Sequence, residues 1–280
     1  MALLTVTLRM VKNEYKKPAP QWRDAVWNPA NKKFVIKECN TAVEFDPMNV
    51  RQSMIQNIDQ SVVRTCDYGT IHVIYSNEQQ KTEIPWELWG RILRLYCTGK
   101  PFTVFFLASP HLREFPENGA ITPYHINGGY TYPCNHDTII IYRAEDATRV
   151  LIHELQHSCC LDHHEVGVDR VEAETEAWAE LMYCALLSEG ATNEFQRLLK
   201  KQSTWIQCQN ARVKQFIGDS MEFPWRYTVG KEDVWRRWNI LVQGKQMSLH
   251  LSLHLSLRLT CFPDVALKKK HHVSATSTIL

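Results

Sequence analysis

Two histidines and a glutamate fall within five residues in the stretch DATRVLIHELQHSCCLDHH, residues 146–164, where His153-Glu154-Leu155-Gln156-His157 spells H-E-x-x-H. On a helix, positions four apart stand one above the other on the same face, so the imidazoles of His153 and His157 can reach one ion. Glu154 sits about 100° further round the axis. Its carboxylate can touch a metal-bound water without ligating the metal. Two neutral nitrogens, an open position and a carboxylate able to accept a proton are what a zinc hydrolase needs. The bland alternative is a helix that happens to carry two of the chain's 12 histidines. Downstream residues decide between the two.

A catalytic zinc ion takes three protein ligands. The acidic segment VEAETEAWAELMYCALLSEG offers Glu172, Glu174, Glu176 and Glu180, and His163 follows the motif directly. Trp178, Leu181 and Met182 give the acidic segment an apolar stripe that can dock on the motif helix and bring Glu176 to the ion. Glu172 is discounted because Asp169-Arg170-Val171-Glu172 reads as a capping box, with Asp169 as N-cap. Glu174 is a lesser alternative.

Eighteen residues separate His157 from Glu176, and the order HELQH-x18-E resembles the gluzincin branch of the zincin metallopeptidases, including its aminopeptidase-N-like members. That resemblance implies one Zn²⁺ on His153, His157 and Glu176, and a zincin-like fold. It implies Glu154 as the base that activates a zinc-bound water for peptide hydrolysis, and Glu180 as a carboxylate orienting a ligand histidine. Tyr183, on the same helix as Glu176, is a candidate oxyanion donor, as are Tyr130 and His125 in the preceding loop. An edge strand at 128–132 would pair with an extended peptide substrate. The segments GGYT, IIIYR, VLIHELQH and TEAWAE also resemble uncharacterised zincin-like proteins of large DNA viruses. A metzincin-like arrangement is the rival, with His163 as third ligand. It puts Cys160 where those enzymes have glycine, and a Cβ there opposes the sharp turn. Retention of Glu154 favours a zinc metallopeptidase over a catalytically inactive zinc-binding interaction protein of the same fold. A helical scaffold without metal is the third possibility.

The elements that must position these residues can be read from apolar spacing. Residues 71–75, 102–107 and 138–142 predict strands, and 3–11 and 34–36 predict two more. The periodicity of 47–63 and of the segment from Trp86 to Cys97 predicts helices, as does that of the motif region, of 171–190, of 193–217 and of 232–242. His72 reads as a core or edge histidine and not as a ligand. Residues 108–137 form a long irregular stretch rich in Pro, Gly, Asn, Tyr and His, and a loop of that length usually carries function. The expected class is α+β: a mixed sheet within about residues 1–145, then the motif helix and a largely helical part to about 244. Residues 245–280 hold MSLHLSLHLSLRL and a lysine run, and are expected to be a low-complexity appendage.

Composition excludes several classes. A net charge of +2 and 22% charged residues make no case for a nucleic-acid partner. No apolar run reaches the length of a membrane span, and the N-terminus is a poor signal peptide. Nine cysteines without a C-x-x-C pair read as reduced thiols, so a cytoplasmic protein acting on a peptide or protein substrate is expected.

Overall fold

The computed structural model describes residues 2–76, 84–162, 167–242 and 255–262. The chain begins with helix α1 (Ala2–Tyr15), where residues 3–11 had suggested a strand. Leu4, Leu8, Val11 and Tyr15 recur at helical spacing; Val11 is fully buried, and the Tyr15 hydroxyl donates to the Leu186 carbonyl. Docking of that stripe outweighs the strand preference of the intervening Thr and Val residues. After a short strand β1 (Arg23–Ala25), helix α2 (Pro29–Asn40) replaces the strand expected at 34–36. Its start signals are local: the Asn28 side chain accepts the Ala30 N–H at 2.8 Å, and Pro29 opens the first turn. Helix α3 (Val50–Ile55) is shorter than the helix expected over 47–63, because Val62 and Val63 belong instead to strand β2 (Ser61–Cys66).

Strand β3 (Gly69–Tyr75), helix α4 (Trp86–Tyr96) and strand β4 (Phe102–Ala108) form where apolar spacing placed them. The long stretch after β4 holds a single turn of helix, α5 (Pro123–Ile126), and a short strand β5 (Gly129–Thr131), and leads to β6 (Ile139–Ile141). Helices α6 (Ala147–Ser158), α7 (Val168–Leu187), α8 (Thr192–Ile217), α9 (Phe223–Tyr227) and α10 (Val229–Arg237) follow. The class is α+β.

The six strands make one mixed sheet in the order β1-β2-β3-β4-β6-β5. The β3–β4 and β4–β6 pairs are parallel; the other three are antiparallel. Central strands of such a sheet are covered on both faces and read as nearly continuous apolar runs, as β3, β4 and β6 do. Side chains alternate between two cores. Ile71, Val73, Val104, Phe106, Ile139 and Ile141 pack under α4, α6 and α7. Ile74, Phe105, Leu107 and Ile140 pack under α2 and α3. His72 stays in this second core, stacked on Trp27 at 4.2 Å, and burial lowers its pKa to about 4. The sheet thus presents α6 on one face with β5 at its edge.

Residues 255–262 lie within the stretch expected to be an appendage, yet they pack on the domain. Leu257, Leu259 and Phe262 are buried. The Arg258 guanidinium donates to Asp146 Oδ1 at 2.9 Å, Lys231 Nζ donates to the Leu259 carbonyl at 2.7 Å, and the Thr260 hydroxyl donates to Glu180 Oε1 at 2.9 Å. Removing one partner of a buried charge pair costs about 3–5 kcal/mol, against a total stability of about 5–15 kcal/mol. A chain ending at Val242 is therefore expected not to fold stably. A thermal transition as high as that of the full chain would contradict this.

The expectation of nine reduced thiols is corrected at one pair: Cys134 is bonded to Cys160, while Cys39, Cys66, Cys97, Cys159, Cys184, Cys208 and Cys261 are free. Among the described residues no helix is long and apolar enough to cross a membrane.

Candidate metal centre

Helix α6 carries the H-E-x-x-H sequence against β5 and β6, with His153 and Glu154 almost fully buried. The Nε2 atoms of His153 and His157 stand 2.9 Å apart, so both imidazoles point to one place. Glu172 of α7 meets them there: its Oε2 is 3.3 Å from His153 Nε2 and its Oε1 3.7 Å from His157 Nε2. Nitrogen and oxygen ligands held at about 2.0–2.1 Å by a tetrahedral zinc ion stand on the order of 3.3 Å apart. The three separations bracket that value. Among the described residues, His153, His157 and Glu172 are the one group whose donor atoms could share an ion.

The far side of each ring also faces a carboxylate, with hydrogen-bond geometry at His157 and ion-pair distance alone at His153. His153 Nδ1 lies 2.9 Å from Glu176 Oε1, and His157 Nδ1 lies 2.6 Å from Asp162 Oδ2. A carboxylate on the nitrogen that does not face the metal fixes the ring's orientation and raises its basicity. Asp162 is itself steadied by the Thr175 hydroxyl at 3.1 Å.

Glu176, expected as third ligand, therefore stands behind His153 and not beside Glu172. It is claimed by Arg149, whose Nη1 donates to Glu176 Oε1 at 2.7 Å and whose Nη2 also contacts Oε2. Glu180, expected to orient a ligand histidine, lies deeper still, between Arg149 (3.6 Å), Lys231 (3.8 Å) and the Thr260 hydroxyl. Glu172, Glu176 and Glu180 recur every fourth residue, so α7 turns one acidic stripe toward α6. Like charges one turn apart repel; Arg149 and Lys231 offset this. The capping box assigned to Asp169 and Glu172 does not form. The helix is capped at Gly167, Asp169 pairs with Arg226, and Glu172 is left for the histidines.

The turn after α6 also differs from expectation. Cys160 does adopt the left-handed conformation, at φ 55°, that glycine would favour. The Leu161 N–H donates to the Gln156 carbonyl and the Cys160 N–H to that of His157, a Schellman closure. The chain doubles back and delivers Asp162 to His157. His163, the alternative third ligand, lies outside the described residues.

Tyr183 is buried against Phe262 and does not line the metal cleft. His125 is occupied with Thr122 at the start of α5, and the Tyr130 hydroxyl is held by Arg51 at 2.8 Å and Glu38 at 2.9 Å. Tyr227 of α9, which sequence reading missed, does line the cleft beside Glu154 and Glu172. Burial, with Glu172, Glu176 and Glu154 nearby, pushes its hydroxyl well above the usual range. Nothing in its spacing from the motif announces it. Across from α6, the wall is β5. A Cβ at Gly129 would meet Val150 Cγ1 at 2.6 Å and the Ile140 carbonyl at 3.0 Å, so glycine there lets the edge strand close on Glu154.

Burial pushes Glu154 up to about 7, although His153 and His157 pull the other way. Burial opposes charge on the two histidines, but carboxylate contacts overcome it: Glu172 and Glu176 lift His153 to about 9, and Asp162 and Glu172 lift His157 to about 11. Burial opposes charge on Glu172 too, yet His153 and His157 hold it down at about 2. A metal must displace protons from both rings. Apparent zinc affinity is accordingly expected to rise steeply from pH 6 to 9, by about tenfold per pH unit for each proton released. Competition titrations with a chromophoric chelator read this directly; a flat profile would contradict it. Without metal, the raised histidine pKa values contribute stability in full below the unfolded value of about 6.5. That contribution is lost as pH rises through about 9 to about 11.

No family model matches the sequence, and no curated protein or solved structure matches the chain.

Proposed function

We propose that the protein is a zinc-dependent metallopeptidase of zincin-like fold, with the ion held by His153, His157 and Glu172. The observation that carries this reading is the convergence of those three donors at separations suited to one tetrahedral ion, with each imidazole backed by a carboxylate. A zinc ion there would supply a Lewis acid for a carbonyl and for water. A sheet whose edge strand borders an H-E-x-x-H helix is also what the zincin resemblance implies.

The chain's own groups supply the rest. Glu154 does not belong to the converging triad, and a purely structural metal site has no use for a carboxylate in its position. With a pKa near 7 it can accept a proton at one stage and return it to a leaving amine at the next. Tyr227, which lines the cleft with its hydroxyl held protonated, would be the donor to an oxyanion in this reading. The outer edge of β5 has no strand partner among the described residues, and its backbone groups suit pairing with an extended peptide.

A mixed peptide library incubated with the purified protein tests the proposal. Cleavage that is lost with a chelator and restored by zinc is the expected result. A zinc-loaded protein that cleaves no peptide or protein would leave a metal site without turnover.

A further inference from the structure

Two buried charges converge on the backbone of one leucine of the 255–262 segment. The Leu259 N–H donates to Asp146 Oδ2 at 2.8 Å, and its carbonyl accepts from Lys231 Nζ at 2.7 Å. Asp146 and Lys231 are both fully buried. On either side, Arg258 is fastened to Asp146, and Thr260 to Glu180 and Gln202. A backbone pinned by buried charges on both its N–H and its C=O places its side chain at one position. Leu259 is 4% exposed and is one of the residues that line the cleft.

Beyond the metal-binding groups, Glu154 and the polar Asn127, Tyr130, Thr131 and Tyr227, the same cleft, of about 160 Å³, is lined by Phe45, Ile126 and Val150. These three and Leu259 are uncharged and apolar. The one guanidinium in the lining, Arg149, gives both terminal nitrogens to Glu176 and is fully buried. A charged substrate side chain lodged among Phe45, Ile126, Val150 and Leu259 would be desolvated with no partner among those four residues, at a cost of several kcal/mol. An aliphatic one would exchange water for contacts worth about 0.8 kcal/mol per buried methylene.

We infer that Leu259 is a specificity-determining residue: with Phe45, Ile126 and Val150 it forms an apolar subsite that selects substrates with an uncharged aliphatic side chain next to the group held at the metal. This rests on the reading of the cleft as a peptidase site. The residue at 259 sets how large that side chain can be. Shortening it opens the subsite toward aromatic side chains.

Dipeptide hydroxamates that differ in one side chain (Ala, Leu, Phe, Asp, Lys) test this by calorimetric binding to zinc-loaded protein. Leu is expected to bind at least about tenfold more tightly than Ala, Asp or Lys. Leu259→Ala should move the optimum to Phe, with zinc content unchanged. Leu259→Val, one methylene smaller and mild for folding, should move it the same way by less, which keeps the test intact if the alanine variant does not fold. Indifference to the side chain, preference for Asp or Lys, absence of binding, or equal weakening of every hydroxamate by both variants would overturn the subsite. The expected ranking in a protein that cleaves no peptide would uphold the subsite and sink the peptidase reading.

Discussion

Replacing Glu172 by alanine is expected to cost the protein most of its zinc affinity, whereas Glu176→Gln should cost much less. Glu172 is the carboxylate on the Nε2 side of both rings; Glu176 reaches only His153 Nδ1. Structural zinc sites of four ligands bind with about 10–16 kcal/mol, so one ligand is worth roughly 3–4 kcal/mol, on the order of 100- to 1,000-fold. Partners behind a ligand histidine contribute roughly 10- to 100-fold. Glutamine at 176 keeps the side chain's shape, but leaves the buried Arg149 and Lys231 facing a neutral group, so some stability is lost with it. Zinc titration of the two variants against a competing chelator separates them. A tight site surviving Glu172→Ala, together with loss on Glu176→Gln, would restore the x18 spacing and refute the triad proposed above.

The second large effect is chemical. Glu154→Gln should abolish hydrolysis while leaving zinc in place. Glu154 is almost fully buried in the cleft wall beside Gly129, outside the converging triad, and its pKa near 7 suits proton transfer. Glutamine matches its volume but cannot accept a proton. General acid–base catalysis contributes typically 10²–10⁴-fold, so kcat should fall by at least about 100-fold at unchanged metal content. Loss of zinc in this variant would reassign Glu154 to the metal. Full activity would leave the base to be found elsewhere.

Much of the site's frame was legible because local pattern and tertiary outcome agree. The runs at 71–75, 102–107 and 138–142 are short, apolar and bounded by turn residues, and each is a buried strand. The motif helix follows the last of them directly. The two N-terminal misreadings have different causes. In 3–11, β-branched residues sit between apolar positions that suit a strand and a helix alike, and docking on α7 and α4 selects the helix. At 34–36 the short apolar run suits a strand by itself, and the helix signal lies ahead of it in the Asn28-Pro29 cap.

The choice between Glu176, expected as third ligand, and Glu172, which faces both Nε2 atoms, turns on one helical turn of α7. Glu172, Glu176 and Glu180 share a stripe, and sequence spacing alone does not say which one meets the ion. What decides is Arg149, one turn before His153 on α6, which captures Glu176 and leaves Glu172 for the histidines. An arginine four residues ahead of the motif was the available signal. Asp162 and residues 255–262 were harder. Asp162 reaches His157 only because Cys160 takes a conformation rare for any residue but glycine. The leucine repeat conceals Leu259 among near-identical neighbours. Its place follows from Asp146 and Lys231, over 100 and nearly 30 residues away in sequence.

The most direct test of a zinc site made by His153, His157 and Glu172 is elemental analysis of the full chain purified without chelator. One zinc ion per chain, lost in His153→Ala, is the expected result. Wild-type protein carrying no stoichiometric zinc, and taking up none when it is supplied at neutral pH, would contradict it.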